Sequence, residues 1–85
     1  MLNGLEKFRE EIDFCDKQIA ELLSRRFEAV DAIGEYKKAN NLPVYNADRE
    51  KAVSDKVALI AGEKFEDSVR EVYDAIFKAA RKRQE

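Results

Sequence analysis

Four positive side chains stand in or beside positions that the apolar rhythm of this chain reserves for hydrophobic ones. From Leu5 the apolar residues run Leu5, Phe8, Ile12, Cys15, Ile19, Leu22, Ala29, Ile33 and Tyr36 in steps of three and four, and the gap in the run is filled by Arg26. Arg9 flanks the same seam beside Phe8 and Ile12, Lys37 follows Ile33 by one turn, and Arg49 precedes Val53 by one turn. A guanidinium withdrawn from water without a partner is costly, so Arg26 is either paired with a carboxylate of the protein or held for an anionic ligand. Acidic residues are plentiful, and this feature taken alone favours internal pairing. For each other cation taken singly, the simpler reading is a long stem lying along apolar surface with its charge in water. Gln84 continues the apolar face of Tyr73, Phe77 and Ala80, and Glu50 adjoins Arg49, which adds a neutral donor and an acceptor. If these groups converge, they suit a small ligand carrying two carboxylates and a hydroxyl, with arginine forks gripping the carboxylates.

The residue types also exclude chemistry. The chain has no His to serve as a base near neutral pH, and nothing resembles a nucleophile elbow, a Gly-rich phosphate loop or a metal-ligand cluster. Cys15 is the only cysteine, so no disulfide within the chain and no ordinary zinc or haem site is expected; its place on the seam reads as core. Neither metal nor cofactor is expected, yet a pocket of fixed cations can still catalyse a reaction whose transition state redistributes charge. The net charge of -2 provides no general attraction to nucleic acid or to anionic membrane, and Arg81, Lys82 and Arg83 form only a short basic patch without a recognition motif. No apolar run approaches the roughly 18 residues of a membrane span, and a cytoplasmic protein is expected.

Helices must position these groups. With 45% hydrophobic and 40% charged residues, three Gly and one Pro, the composition is that of long amphipathic helices in an all-α fold. The seam predicts a first helix from about residue 4 to about residue 38, in which Gly34 costs about 1 kcal/mol relative to Ala. Asn40, Asn41, Leu42 and Pro43 end it. Asn46 is a good N-cap for a second helix over about 47–61, with Val53, Val57 and Ile60 as its buried stripe and Gly62 at its end. A third helix over about 66–84 buries Val69, Val72, Tyr73, Ile76, Phe77 and Ala80. The reading is a single domain over the 85 residues. A helix of about 35 residues is roughly 50 Å long, far beyond the radius of gyration of about 12 Å of a compact chain this size. The two shorter helices cannot cover it, so a second copy related by two-fold symmetry is expected to supply the rest.

The run LEKFREEIDFCD from Leu5 to Asp16, then IAELLSRR, then AIGEYKKANNLPVYNADRE and a closing helix with Gln84, closely resembles the all-α (AroQ-class) chorismate mutases of aromatic amino-acid biosynthesis. The resemblance covers nearly the whole chain. It implies an intertwined homodimeric helical bundle of three-helix chains and conversion of chorismate to prephenate, an intramolecular Claisen rearrangement without metal, cofactor or covalent intermediate. By the same resemblance Arg26, Lys37, Arg49, Glu50 and Gln84 come from one chain and Arg9 from the other. Arg9 and Arg26 would take the substrate carboxylates, Lys37 and Gln84 the ether oxygen, with Lys37 also touching a carboxylate. Glu50 would accept from the ring hydroxyl, and Arg49 would support the network.

Two positions depart from the family pattern. Ala80 stands where many relatives carry a small hydroxyl residue that contacts a carboxylate, and Asn46 where several have Asp near the substrate hydroxyl; weaker substrate binding is expected. Two other functions fit less well. A lyase on the same scaffold, splitting pyruvate from isochorismate, would use much the same cations. A non-catalytic dimerisation or regulatory domain could replace interior cations by apolar residues at little cost in stability, which the set Arg9, Arg26, Lys37, Arg49 and Gln84 argues against.

Overall fold

A computed structural model describes residues 3–85. It contains three helices, α1 (Gly4–Ala39), α2 (Ala47–Ala61) and α3 (Glu66–Gln84), and no strand among the described residues. Each boundary has a local cause. The Asn3 side chain caps α1 by accepting from the Glu6 N–H at 2.8 Å. At the other end Asn41 takes φ 55°, the Leu42 N–H donates to the Lys37 carbonyl at 2.8 Å, and the Asn41 N–H donates to that of Lys38 at 3.4 Å. This pair of bonds around a left-handed residue satisfies carbonyls that the last turn would otherwise leave open. The Asn46 side chain caps α2 through the Arg49 N–H at 3.0 Å. Gly62, at φ 88°, ends it in a conformation that side chains with a Cβ rarely adopt. No side chain caps α3, but Glu66 and Asp67 lie in its first turn and Arg81, Lys82 and Arg83 in its last, a distribution that suits the helix dipole.

The α3 helix packs on both α1 and α2, while α1 and α2 do not pack on each other. Arg70 of α3 ties the second contact by donating to Asp55 at 2.8 Å and to the Ser54 hydroxyl at 3.1 Å. The buried core is small, namely Val30, Ala58, Phe77 and Ala80. Every residue from 3 to 22 is exposed, so about 30 Å of α1 projects beyond the other two helices. The longest dimension is 58 Å and the radius of gyration 16.2 Å, against the roughly 12 Å of a compact chain.

Several side chains assigned to the core are therefore open in the single chain. Leu5, Phe8, Ile12, Ile19 and Leu22 are each more than half exposed, and Cys15 is exposed with them. Ile60 and Val72, expected on the buried stripes of α2 and α3, are 76% and 58% exposed. The periodicity located the apolar faces, but a face is buried only where another helix lies against it. The described residues form three helices with which to do so.

Candidate active site

The C-terminal half of α1, the start of α2 and the last turns of α3 enclose a cleft of about 440 Å³. Its apolar walls include Val30, Ile33, Val53, Phe77 and Ala80; its polar lining comprises Arg26, Lys37, Asn46, Arg49, Glu50, Arg81 and Gln84. Seven of the eight residues singled out by sequence thus share one cavity. The eighth, Arg9, is exposed on α1 seventeen residues before Arg26, about 25 Å away along the helix axis, and does not line the cleft of its own chain.

Arg26 is half-buried and forms no ion pair among the described residues, which overturns the internal pairing favoured above. Its guanidinium carbon instead lies 5.9 Å from the Tyr73 ring centroid and 6.0 Å from that of Phe77. Those two rings meet edge to face at 5.8 Å. The aromatic faces attract the cation without neutralising it, so its charge and hydrogen-bond donors remain available to an anion.

Lys37 donates from Nζ to the Val44 carbonyl at 2.8 Å. The bond closes the loop between α1 and α2 over the end of the cleft and holds the ammonium in place, with two of its three donors still free of that contact. Arg49, exposed, follows the N-cap Asn46 by three residues. The Asn46 oxygen accepts the Arg49 backbone N–H, so this residue has a structural task as well as a place beside the cleft.

Glu50 is bound to Arg81, whose Nη1 donates to both carboxylate oxygens at 2.6 and 2.5 Å. The Arg81 guanidinium also covers the Tyr45 ring at 5.2 Å, and hydrogen bonding to Glu50 raises its pKa above the ordinary arginine value. Read from the sequence, Arg81 was part of a surface patch with Lys82 and Arg83; the structure divides that patch. Arg81 faces α2, while Arg83 faces α1 and donates to Asp31 from Nε at 2.8 Å and from Nη2 at 2.6 Å. Residues two apart lie about 200° apart around a helix, a signal that the sequence offered.

Gln84 projects from the last turn of α3. Its Nε2 donates to the Ala80 carbonyl at a long 3.4 Å, and its Oε1 is buried and accepts no hydrogen bond. A buried amide oxygen without a partner is costly unless a ligand or water completes it. Ala80 itself is 7% exposed, and its side chain brings no polar atom to the cleft lining.

Comparison with known proteins identifies the family. The profile of the family described as chorismate mutase type II matches residues 8–85. A bifunctional chorismate mutase/prephenate dehydratase of Aquifex aeolicus is 33% identical over 76 residues, which are 89% of this chain and 19% of that protein. The protein of the same description from Buchnera aphidicola is 42% identical over 55 residues, 65% of this chain and 14% of that one. The chain therefore spans about a fifth or less of the length of these curated relatives. Among solved structures, a conserved hypothetical protein from Pyrococcus furiosus superposes with a TM-score of 0.82 at 33% identity, each chain covered over 100% of its length. With its all-helical architecture, its cationic cleft and a profile match over all but the first seven residues, this chain belongs to the chorismate mutase type II family.

Proposed function

We propose that the protein catalyses the rearrangement of chorismate to prephenate as a cytoplasmic homodimer. The observation that carries this reading is Arg26: a half-buried guanidinium, flanked by two aromatic rings and paired with no carboxylate among the described residues, in a cleft that also presents Lys37, Arg49 and Gln84. The substrate is a dianion, and the cleft offers it more positive charge than its one lining carboxylate, Glu50, can cancel.

The reaction transfers no atom to or from the protein. The ether carbon–oxygen bond breaks as the new carbon–carbon bond forms, and negative charge grows on the ether oxygen. Arg26 and Arg9 of the second copy grip the carboxylates, which holds the enolpyruvyl arm over the ring and converts lost conformational freedom into rate. Lys37 and Gln84 donate to the ether oxygen, where preorganised donors lower the barrier most. A half-turn of the Gln84 carboxamide exchanges Oε1 and Nε2; it gives up the long bond to the Ala80 carbonyl and turns Oε1 toward that acceptor, a cost that the developing charge on the ether oxygen must offset. Glu50 accepts from the ring hydroxyl.

The exposed seam of Leu5, Phe8, Ile12, Ile19 and Leu22 supports the homodimer, because an apolar row this long is not left in water by a stable protein. An antiparallel pairing of two α1 helices brings the Arg9 end of one to the Arg26 end of the other. The test is loss of chorismate absorbance on adding the purified protein, with prephenate identified as product. Release of pyruvate from isochorismate without prephenate formation would assign the lyase activity instead.

A further inference from the structure

Arg81 has no role in the function proposed above, and its geometry asks for one. Among the described residues Glu50 is the one carboxylate that lines the cleft, beside the cations Arg26, Lys37 and Arg49 that would meet a dianion. A flexible glutamate among them would pair with a neighbouring cation and neutralise it in the empty enzyme. It does not do so, because Arg81 engages both of its oxygens from the α3 side. The pair is part-buried, with the side chains of Arg81 and Glu50 33% and 24% exposed. The Tyr45 ring under the guanidinium fixes the donor in turn, so loop, α2 and α3 converge on one carboxylate. Each carboxylate oxygen keeps a lone pair after accepting one hydrogen bond.

We infer that Arg81 is a positioning residue: it holds Glu50 away from the substrate-binding cations and presents it, already oriented, to the ring hydroxyl of the bound dicarboxylate. The inference rests on the proposed mutase activity only for the identity of that ligand. Without Arg81, Glu50 turns to Lys37, Arg26 or Arg49, and substrate must displace it before binding. The defect therefore falls on affinity, while the donors to the ether oxygen stay in place.

The experiment compares Arg81→Met and Arg81→Lys with the parent, each also in a Glu50→Gln background. Chorismate kinetics and prephenate affinity by titration calorimetry are the readouts, and circular dichroism confirms folding. Arg81→Met is expected to raise KM and the prephenate Kd about tenfold, the scale of a lost charged hydrogen bond, and to change kcat far less. Arg81→Lys, which keeps the charge but has a shorter reach and no guanidinium plane to lie over Tyr45, recovers part of that loss. In the Glu50→Gln background the Arg81 substitutions have little further effect, since the group they position is gone. Unchanged KM and Kd in Arg81→Met, or an equal rise in both backgrounds, overturns the inference, and a fall in thermal midpoint alone leaves Arg81 merely structural. If Arg81→Met does not fold, Arg81→Lys decides by the same criteria. A parent that binds prephenate but does not convert chorismate refutes the mutase reading and leaves Arg81 to be decided on Kd; a parent that does neither refutes both.

Discussion

Gln84 lies across Gly34: a Cβ built on the glycine would stand 3.1 Å from the Gln84 Cγ and 3.3 Å from its Cα. One turn earlier, Asp31 receives two hydrogen bonds from Arg83. The last turn of α3 is thus pressed onto α1 at a point without a side chain, and locked there by an ion pair. In the sequence Gly34 was a weak point in a long helix; in the fold it is the seat of a cleft residue.

Gly34→Ala separates these two effects. Alanine favours the helix by about 1 kcal/mol, but its methyl forces the Gln84 stem to shift. Turnover of chorismate should fall about tenfold through displacement of the donor, with a thermal midpoint near that of the parent. Parallel measurement of kcat and melting checks it, and undiminished kcat would mean that Gln84 tolerates the shift or does not act.

Hydrogen bonds from Arg83 hold the Asp31 carboxyl below its ordinary pKa of 3.8, against a smaller opposing effect of desolvation. A depressed carboxylate stabilises the fold above its unfolded pKa, and that contribution is lost as pH falls through the folded value. Asp31→Asn should accordingly lower the thermal midpoint slightly at pH 7, and the gap from the parent should close as pH falls through and below 3.8. Both residues are solvent-accessible, so added salt should shrink the gap at pH 7 as well. A midpoint difference that is constant across the acid range would disprove the coupling.

Lys37→Ala removes a donor to the ether oxygen and the tie to the Val44 carbonyl together. Turnover should drop by about 10²-fold or more. Amide hydrogen exchange should speed up in residues 40–46, where the loop loses its anchor. Lys37→Arg, if it retains slow exchange in that loop without regaining turnover, distinguishes the chemical role from the structural one.

The proposed sharing of sites between two copies has a direct test. Arg9→Ala and Arg26→Ala should each have little activity alone. Mixing them after mild unfolding should restore activity to about a quarter of the parental value, because half of randomly formed two-fold dimers are mixed and each has one site with both arginines. No recovery, in a mixture shown to exchange subunits, would place Arg9 outside the site.

The features legible in the residues alone were local or periodic. The steps of three and four marked the three helices and their apolar faces, and Asn46 and Gly62 marked the ends of α2; cations in or beside those faces pointed to Arg26, Lys37 and Arg49, with Glu50 adjoining Arg49 and Gln84 continuing the face of α3, and all five line the cleft. Length set against girth also showed that α1 would outrun its own chain, as the exposed residues 3–22 bear out. Which side chains partner one another was set by the packing of the helices. Arg26 meets Tyr73 and Phe77 instead of a carboxylate, Glu50 meets Arg81, and Gly34 meets Gln84, because each pairing depends on how α3 crosses the other two helices. Periodicity is a property of one helix at a time, whereas an ion pair or a close backbone approach depends on the relative placement of two.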